Sequence, residues 1–188
     1  MINLYVVTRM LTFPGTVLRN FWEHLICRLC SIPAEDIRVF KVNEMCGHIE
    51  HELIKDKPKS FAMCFVPFLL NFILACCLLL GGAYRIAYIG DYKSMLAWIF
   101  MWMGISLATN CVPSFEDVLT FQDVFYNKET KLIVKILVAP FYGLIYGFSL
   151  LERVGLTFVV SILFAIVFPQ IFNKLFPVII TLGQMLQG

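Results

Sequence analysis

Phe61 to Gly82 is 22 residues without a charged side chain, and Ser94 to Phe115 is another 22. Two further uncharged runs follow, Ile136 to Leu151 with 16 residues and Gly155 to Asn173 with 19. A helix needs roughly 20 apolar residues to cross the hydrocarbon core of a bilayer. The first two runs satisfy this outright. The third does so once Leu132 to Lys135 is added, with Lys135 extending its ammonium to the headgroups. The fourth suffices alone, and FPVIITLGQML after it prolongs the span or lies in the interface. Of 188 residues 60% are hydrophobic and 15% charged, with a mean hydropathy of +0.80, against about 25% charge in a typical soluble domain. The expected fold is an all-α polytopic membrane protein. It has four transmembrane helices, at about 61–82, 94–112, 132–151 and 155–174, plus an N-terminal membrane-associated helix and a small β-hairpin at the membrane face. One integral membrane domain, 1–188, accounts for the chain, since no repeat, low-complexity tract or domain-separating linker interrupts it.

The N-terminal run INLYVVTRMLTF fits either a short span or an interfacial element. It lacks a basic n-region and a small-residue cleavage site, and Arg9 interrupts its apolar part, so it does not have the pattern of a signal peptide. Pro14 suits the first turn of a helix, which the pattern continues to Leu29. Ile37 to Leu53 has another texture. Ile37, Val39 and Lys41 alternate as in a strand, Asn43 to Gly47 has turn composition, and His48 to Leu53 reads as a second strand, giving a hairpin over 37–53. Lys55 to Lys59 is then a solvated connector able to meet acidic headgroups.

Lysine and arginine distribution sets the expected orientation. Arg38, Lys41, Lys55, Lys57, Lys59, Lys128, Lys131, Lys135 and Lys174 fall on one side; Arg85, Lys93 and Arg153 fall on the other. The 32–60 and 113–135 connectors and the C-terminus are therefore expected to be cytoplasmic. The implied partners are the lipid bilayer and another membrane protein or a second copy of the chain. No phosphate loop, dinucleotide fold or nucleic-acid patch is present, and a net charge of +2 points to no nucleic acid. The cysteines read as small buried hydrophobes, including Cys27 and Cys30, which lack a second pair.

The polar residues of FPGTVLRNFWEHLICRLC pose the chemical question. Arg19 and Glu23 lie four apart, as do Asn20 and His24, so each pair shares a helix face. Charges at membrane depth usually pair with one another, and Arg19–Glu23 is such a pair on an amphipathic or bundle-facing helix. Set on Pro14-Gly15 and Cys27-Arg28, the stretch also resembles the metal-binding helix of membrane-embedded zinc metalloproteases related to the site-2 proteases, where Pro-Gly-x-x-x-His-Glu-x-x-His stands. VFKVNEMCGHIEHE with KSFAMCFVPFLLN is similar to that family's hairpin and following span through His51, Glu52, Pro67, Phe68 and Asn71. WMGISLATNCVPSFEDV is similar to a later span ending at Asp117. The likeness runs from Phe13 to about Asp117.

The resemblance implies two zinc-binding histidines at the positions of Arg19 and Glu23, a catalytic glutamate at Asn20 and a third ligand at Asp117. Three of these four positions depart from the pattern. Guanidinium cannot lose a proton to ligate a metal, and Asn20 has no proton affinity for general-base work. The expectation is a scaffold with no catalytic residue, no metal and no cofactor, in which an Arg19/Glu23/Asp117 ionic cluster, with Glu116 nearby, stands in place of zinc. The alternatives are an intramembrane zinc metalloprotease using Glu23, His24 and Asp117, assisted by His51, and a small channel or transporter component. His48 and His51 fall on opposite faces of a strand and do not share a metal there. Asn71, Ser106, Thr109 and Asn110 are expected to hydrogen-bond between helices. Glu152-Arg153 reads as a solvated turn pair.

Overall fold

The computed structural model describes residues 4–38, 48–51, 54–128 and 130–185, and side chains within 5–34, 54–128 and 130–177. The fold is predominantly helical. Among the described residues three helices are long and apolar enough to cross a membrane, namely Lys57–Ile89, Leu132–Val154 and Thr157–Pro177, as expected of an integral membrane protein.

The first helical pair is α1, Leu4–Leu11, and α2, Phe13–Leu29. They meet at Thr12, whose φ of −107° and ψ of 35° leave the helical region. Pro14, with no N–H to give, explains why the axis bends here. Thr12 keeps one helical bond on each side of the bend, its N–H to the Thr8 carbonyl at 3.0 Å and its carbonyl from the Thr16 N–H at 3.2 Å.

Two short strands follow, β1 at Ala34–Arg38 and β2 at His48–His51, paired antiparallel with Ile37 opposite Ile49 and Arg38 opposite His48. β1 begins three residues earlier than Ile37, the expected start of the alternation. The expected turn at Asn43–Gly47, and Glu52 and Leu53, lie outside the described residues.

Helix α3, Lys57–Leu79, continues as a π-helical segment, Leu80–Ile89, and stops at Gly90 with a φ of 72°. Its wider turns lie against α4, Met95–Thr109. Gly82 makes the approach feasible, since a Cβ there would stand 2.3 Å from the Met101 backbone nitrogen. Leu79 fills the space over Gly104, and Ala75 packs with Leu107 and Ala108.

The expected second span, 94–112, contains one helix, α4, at Met95–Thr109. α4 has 15 residues, about 22 Å at 1.5 Å per residue, against a hydrocarbon core of about 30 Å. It stops at Asn110 because Pro113 lies ahead and biases its predecessor away from helix. After this break Ser114 caps a new helix, α5, Phe115–Phe125, by accepting the Asp117 N–H at 3.1 Å. Much of the segment expected as a connector is thus a helix, with Val118, Phe121 and Phe125 buried.

α5 continues along α3 where α4 leaves off. Asn71 meets Asn110, Cys64 meets the Asp117 carbonyl at 3.5 Å, and Phe61 and Phe65 meet Phe121. As the α3 number falls from 79 to 61, its neighbour's rises from 104 to 121. α4 and α5 therefore line α3 as one antiparallel track with a gap at 110–114.

The last two helices are α6, Leu132–Val154, and α7, Thr157–Met185, turned about Gly155 at a φ of 79°. α7 closes the core with Phe164, Ala165 and Phe168 against Leu79 and Ala83. α6 presents Leu132, Ile136, Leu137, Phe141 and Leu144 outward, the surface a lipid-facing helix needs.

Candidate functional site

The polar centre grows from the inner face of α2. Gly15, Thr16, Arg19, Asn20, Glu23, Ile26 and Cys27 are buried, because steps of three and four return to one side of a helix. Arg19 is only 1% exposed. Its Nε donates to Glu23 Oε1 at 2.7 Å, one turn along, and its Nη1 donates to Glu152 Oε1 at 2.9 Å. Arg9 on α1 also reaches Glu152 through Nη2, and its Nη1 donates to Asn110 Oδ1. Two guanidinium groups and two carboxylates form this part of the centre, so their formal charges cancel. A buried charge with no partner is costly, while a paired one is tolerated.

Asn110, fully buried, joins α4 to the bend between α1 and α2. Its Oδ1 also accepts from Thr16 Oγ1 at 3.1 Å, while its Nδ2 lies 2.9 Å from Thr12 Oγ1 and 3.1 Å from the Thr12 carbonyl. The Asn110 carbonyl, released where α4 ends, accepts from Asn71 Nδ2 at 3.2 Å. Ser106 Oγ donates to the Thr12 carbonyl at 2.8 Å and accepts the Gly15 N–H at 2.8 Å. Only glycine permits this crossing, since a Cβ on Gly15 would meet the Ser106 carbonyl oxygen at 2.2 Å. Each helix thus satisfies backbone groups that its neighbour's irregularity exposes, as an apolar surrounding requires.

The described contacts of the expected cluster start from Arg19 and add Glu152 to it. Arg19 and Glu23 pair directly. Asp117 stands in the first turn of α5, where Ser114 Oγ donates to its Oδ2 at 2.6 Å. Glu116 is exposed.

Glu152 corrects the solvated-turn expectation, at 4% exposure. α6 runs on to Val154, so Glu152 takes the inward phase already held by Ile145 and Ser149. Arg153, next to it, points outward over the Phe115 ring at 5.3 Å. Arg9 is the second residue that sequence reasoning misses, because locally it only interrupts an apolar run. An acidic residue ending a long uncharged run, in phase with Ile145 and Ser149, is the signal that singles out Glu152.

The zinc-ligand alternative meets a different arrangement. Among the described residues no three His, Cys, Asp or Glu side chains converge on one point. Glu23 is engaged by Arg19, and a fixed cation at that place repels a dication. His24 is half-buried, about 100° round the helix from Glu23. Asn20 is 4% exposed, an amide where a base would be needed. The side chains of His48, His51 and Glu52 lie outside the described residues. The donor set that is described does not fit a catalytic zinc, which takes three ligands from His, Cys and carboxylate. The chain matches no protein-family model, and no curated protein or solved structure is significantly similar to it.

Proposed function

We propose that this chain is a non-catalytic integral membrane protein, a subunit or binding partner in a membrane complex. On this reading its scaffold is of the site-2-protease kind that the α2 motif resembles, with an ionic centre where an active relative holds zinc. The observation that carries the reading is Arg19, buried and gripped by carboxylates from two elements, Glu23 of α2 and Glu152 of α6. A metal ties helices by drawing several anionic ligands to one point. A guanidinium with five donors does the same for carboxylates, without activating a water molecule.

The finer architecture belongs to this proposal. α4 and α5 together make the fourth crossing, interrupted at 110–114, a break that membranes tolerate when protein covers it. All five residues of the break are buried, which supports this. The paired strands support a hairpin at the membrane face, and the 32–60 connector is cytoplasmic; α7 rises beside α3, with Phe164 by Phe72 and Phe172 by Tyr84, so it runs toward the opposite face. The α5 helix carries its part of the 113–135 segment into the bundle and leaves Lys128, Lys131 and Lys135 at the same face.

The experiment is metal analysis of purified protein after dialysis against a chelator, together with its native mass in mild detergent. The expected result is zinc far below one per chain and a mass above that of a single chain. One tightly held zinc per chain sinks the reading.

A further inference from the structure

The surface of α1 and α2 inverts that of a water-soluble helix. Every exposed side chain from Val7 to Leu25 is apolar, with Phe13, Val17, Phe21 and Leu25 forming a stripe at four-residue spacing. Arg9, Arg19 and Glu23, the charged residues in that range, are 3%, 1% and 2% exposed. The first exposed charge is Arg28, in the last turn of α2. A helix resting on water would place these groups the other way round. Charged residues within the membrane face the bundle interior and pair there.

Length and backbone bonding agree with immersion. Residues 4–29 form two helices joined directly at Thr12, whose N–H and carbonyl keep a helical bond on either side, to Thr8 and from Thr16. Along their bent contour, at 1.5 Å per residue, they measure about 39 Å, against a hydrocarbon core of roughly 30 Å. The carbonyls at the bend have donors from α4: Trp102 Nε1 to Leu11 at 3.2 Å and Ser106 Oγ to Thr12 at 2.8 Å. Phe13 also meets the Trp102 ring at 5.4 Å between centroids. The stripe is thereby continuous with the outward Trp98, Ile99 and Trp102 of α4.

We propose that residues 4–29 cross the bilayer as one kinked helical segment, with the stripe from Phe13 to Leu25 against lipid acyl chains. Leu4 and Lys55 then lie toward opposite faces. The proposal depends on the membrane character of the chain, and not on whether its polar centre is catalytically silent or on how α4 and α5 cross.

The test places a short lysine tag ahead of Met1 on the full chain in sealed vesicles. A membrane-impermeant amine reagent is applied from one side, then from both, and modified lysines are read by mass spectrometry. The expected result is that the tag reacts from one side, and Lys55 and Lys57 only when the other side is opened. Reaction of the tag and both lysines from the same side overturns the proposal. A second variant, F21K, checks the stripe directly. A charge on a lipid-facing site should reduce membrane-integrated protein about tenfold or more, whereas an unchanged yield and thermal midpoint would overturn acyl-chain contact at Phe21.

Discussion

Arg9 and Arg19 donate to the same oxygen, Oε1 of Glu152, although the bend at Thr12 stands between them. One carboxylate on α6 therefore fastens both helices of the amino-terminal pair, and the three side chains work as a unit.

That sharing makes Glu152 the most sensitive position in the polar centre. E152A leaves two buried guanidinium groups short of a counter-charge, and breaking a buried pair costs about 3–5 kcal/mol. Thermal unfolding in detergent should show a large loss, or no folded protein. Its neighbour Arg153 is exposed, and R153A should cost about 1 kcal/mol or less, the scale of a surface cation–π contact. Equal effects from the two would contradict the inward phase assigned to Glu152.

Glycines separate just as clearly. G82A puts a methyl group 2.3 Å from the Met101 nitrogen, and because the obstacle is backbone the helices must part, at a cost of about 1–3 kcal/mol or more. Gly143 and Gly147, on the outer side of α6, have only open space within 4 Å of where a Cβ would stand. G143A and G147A should each be neutral or stabilise by up to about 1 kcal/mol, the helix propensity difference between the residues. Denaturation by SDS, followed through helical signal, distinguishes these outcomes.

The gap between α4 and α5 depends on Asn71. In N71L the Asn110 carbonyl loses its donor within the core, which should cost about 1–3 kcal/mol. A midpoint equal to that of the parent protein would show that the Asn71–Asn110 bond is not what stabilises the break.

Thiol reactivity reports the packing without any substitution. Cys77 is exposed on α3, whereas Cys27, Cys64 and Cys111 are buried. In mild detergent at alkaline pH, where water and hydroxide reach the exposed rim of the helix, a maleimide should modify Cys77 ahead of those three, which stay protected until SDS opens the fold. Rapid native modification of Cys64 would contradict its burial with Phe121 and Phe125.

Much of this architecture is written in the chain as long apolar runs, because lipid imposes a length on any helix that crosses it. The 132–151 expectation lies inside α6, and all but the first two residues of 155–174 lie inside α7, for that reason. Arg19–Glu23 is legible because both partners sit on one turn. Glu152 is not, since Glu-Arg-Val-Gly has the composition of a turn, and only the continuation of α6 to Val154 fixes its inward phase. The gap at 110–114 is hidden inside an uncharged run. Pro113 and the Ser114-x-x-Asp117 cap are its local signature, but apolar length outweighs them. The partners of Asp117 depend on tertiary packing, which no local pattern carries.

The bond from Arg9 to Glu152 spans 143 positions of sequence, and this dictates an order of biogenesis. A ribosome releases the arginine early and its carboxylate only when most of the chain has been made. The contact that fastens the leading segment to α6 therefore cannot close until the carboxylate has been made.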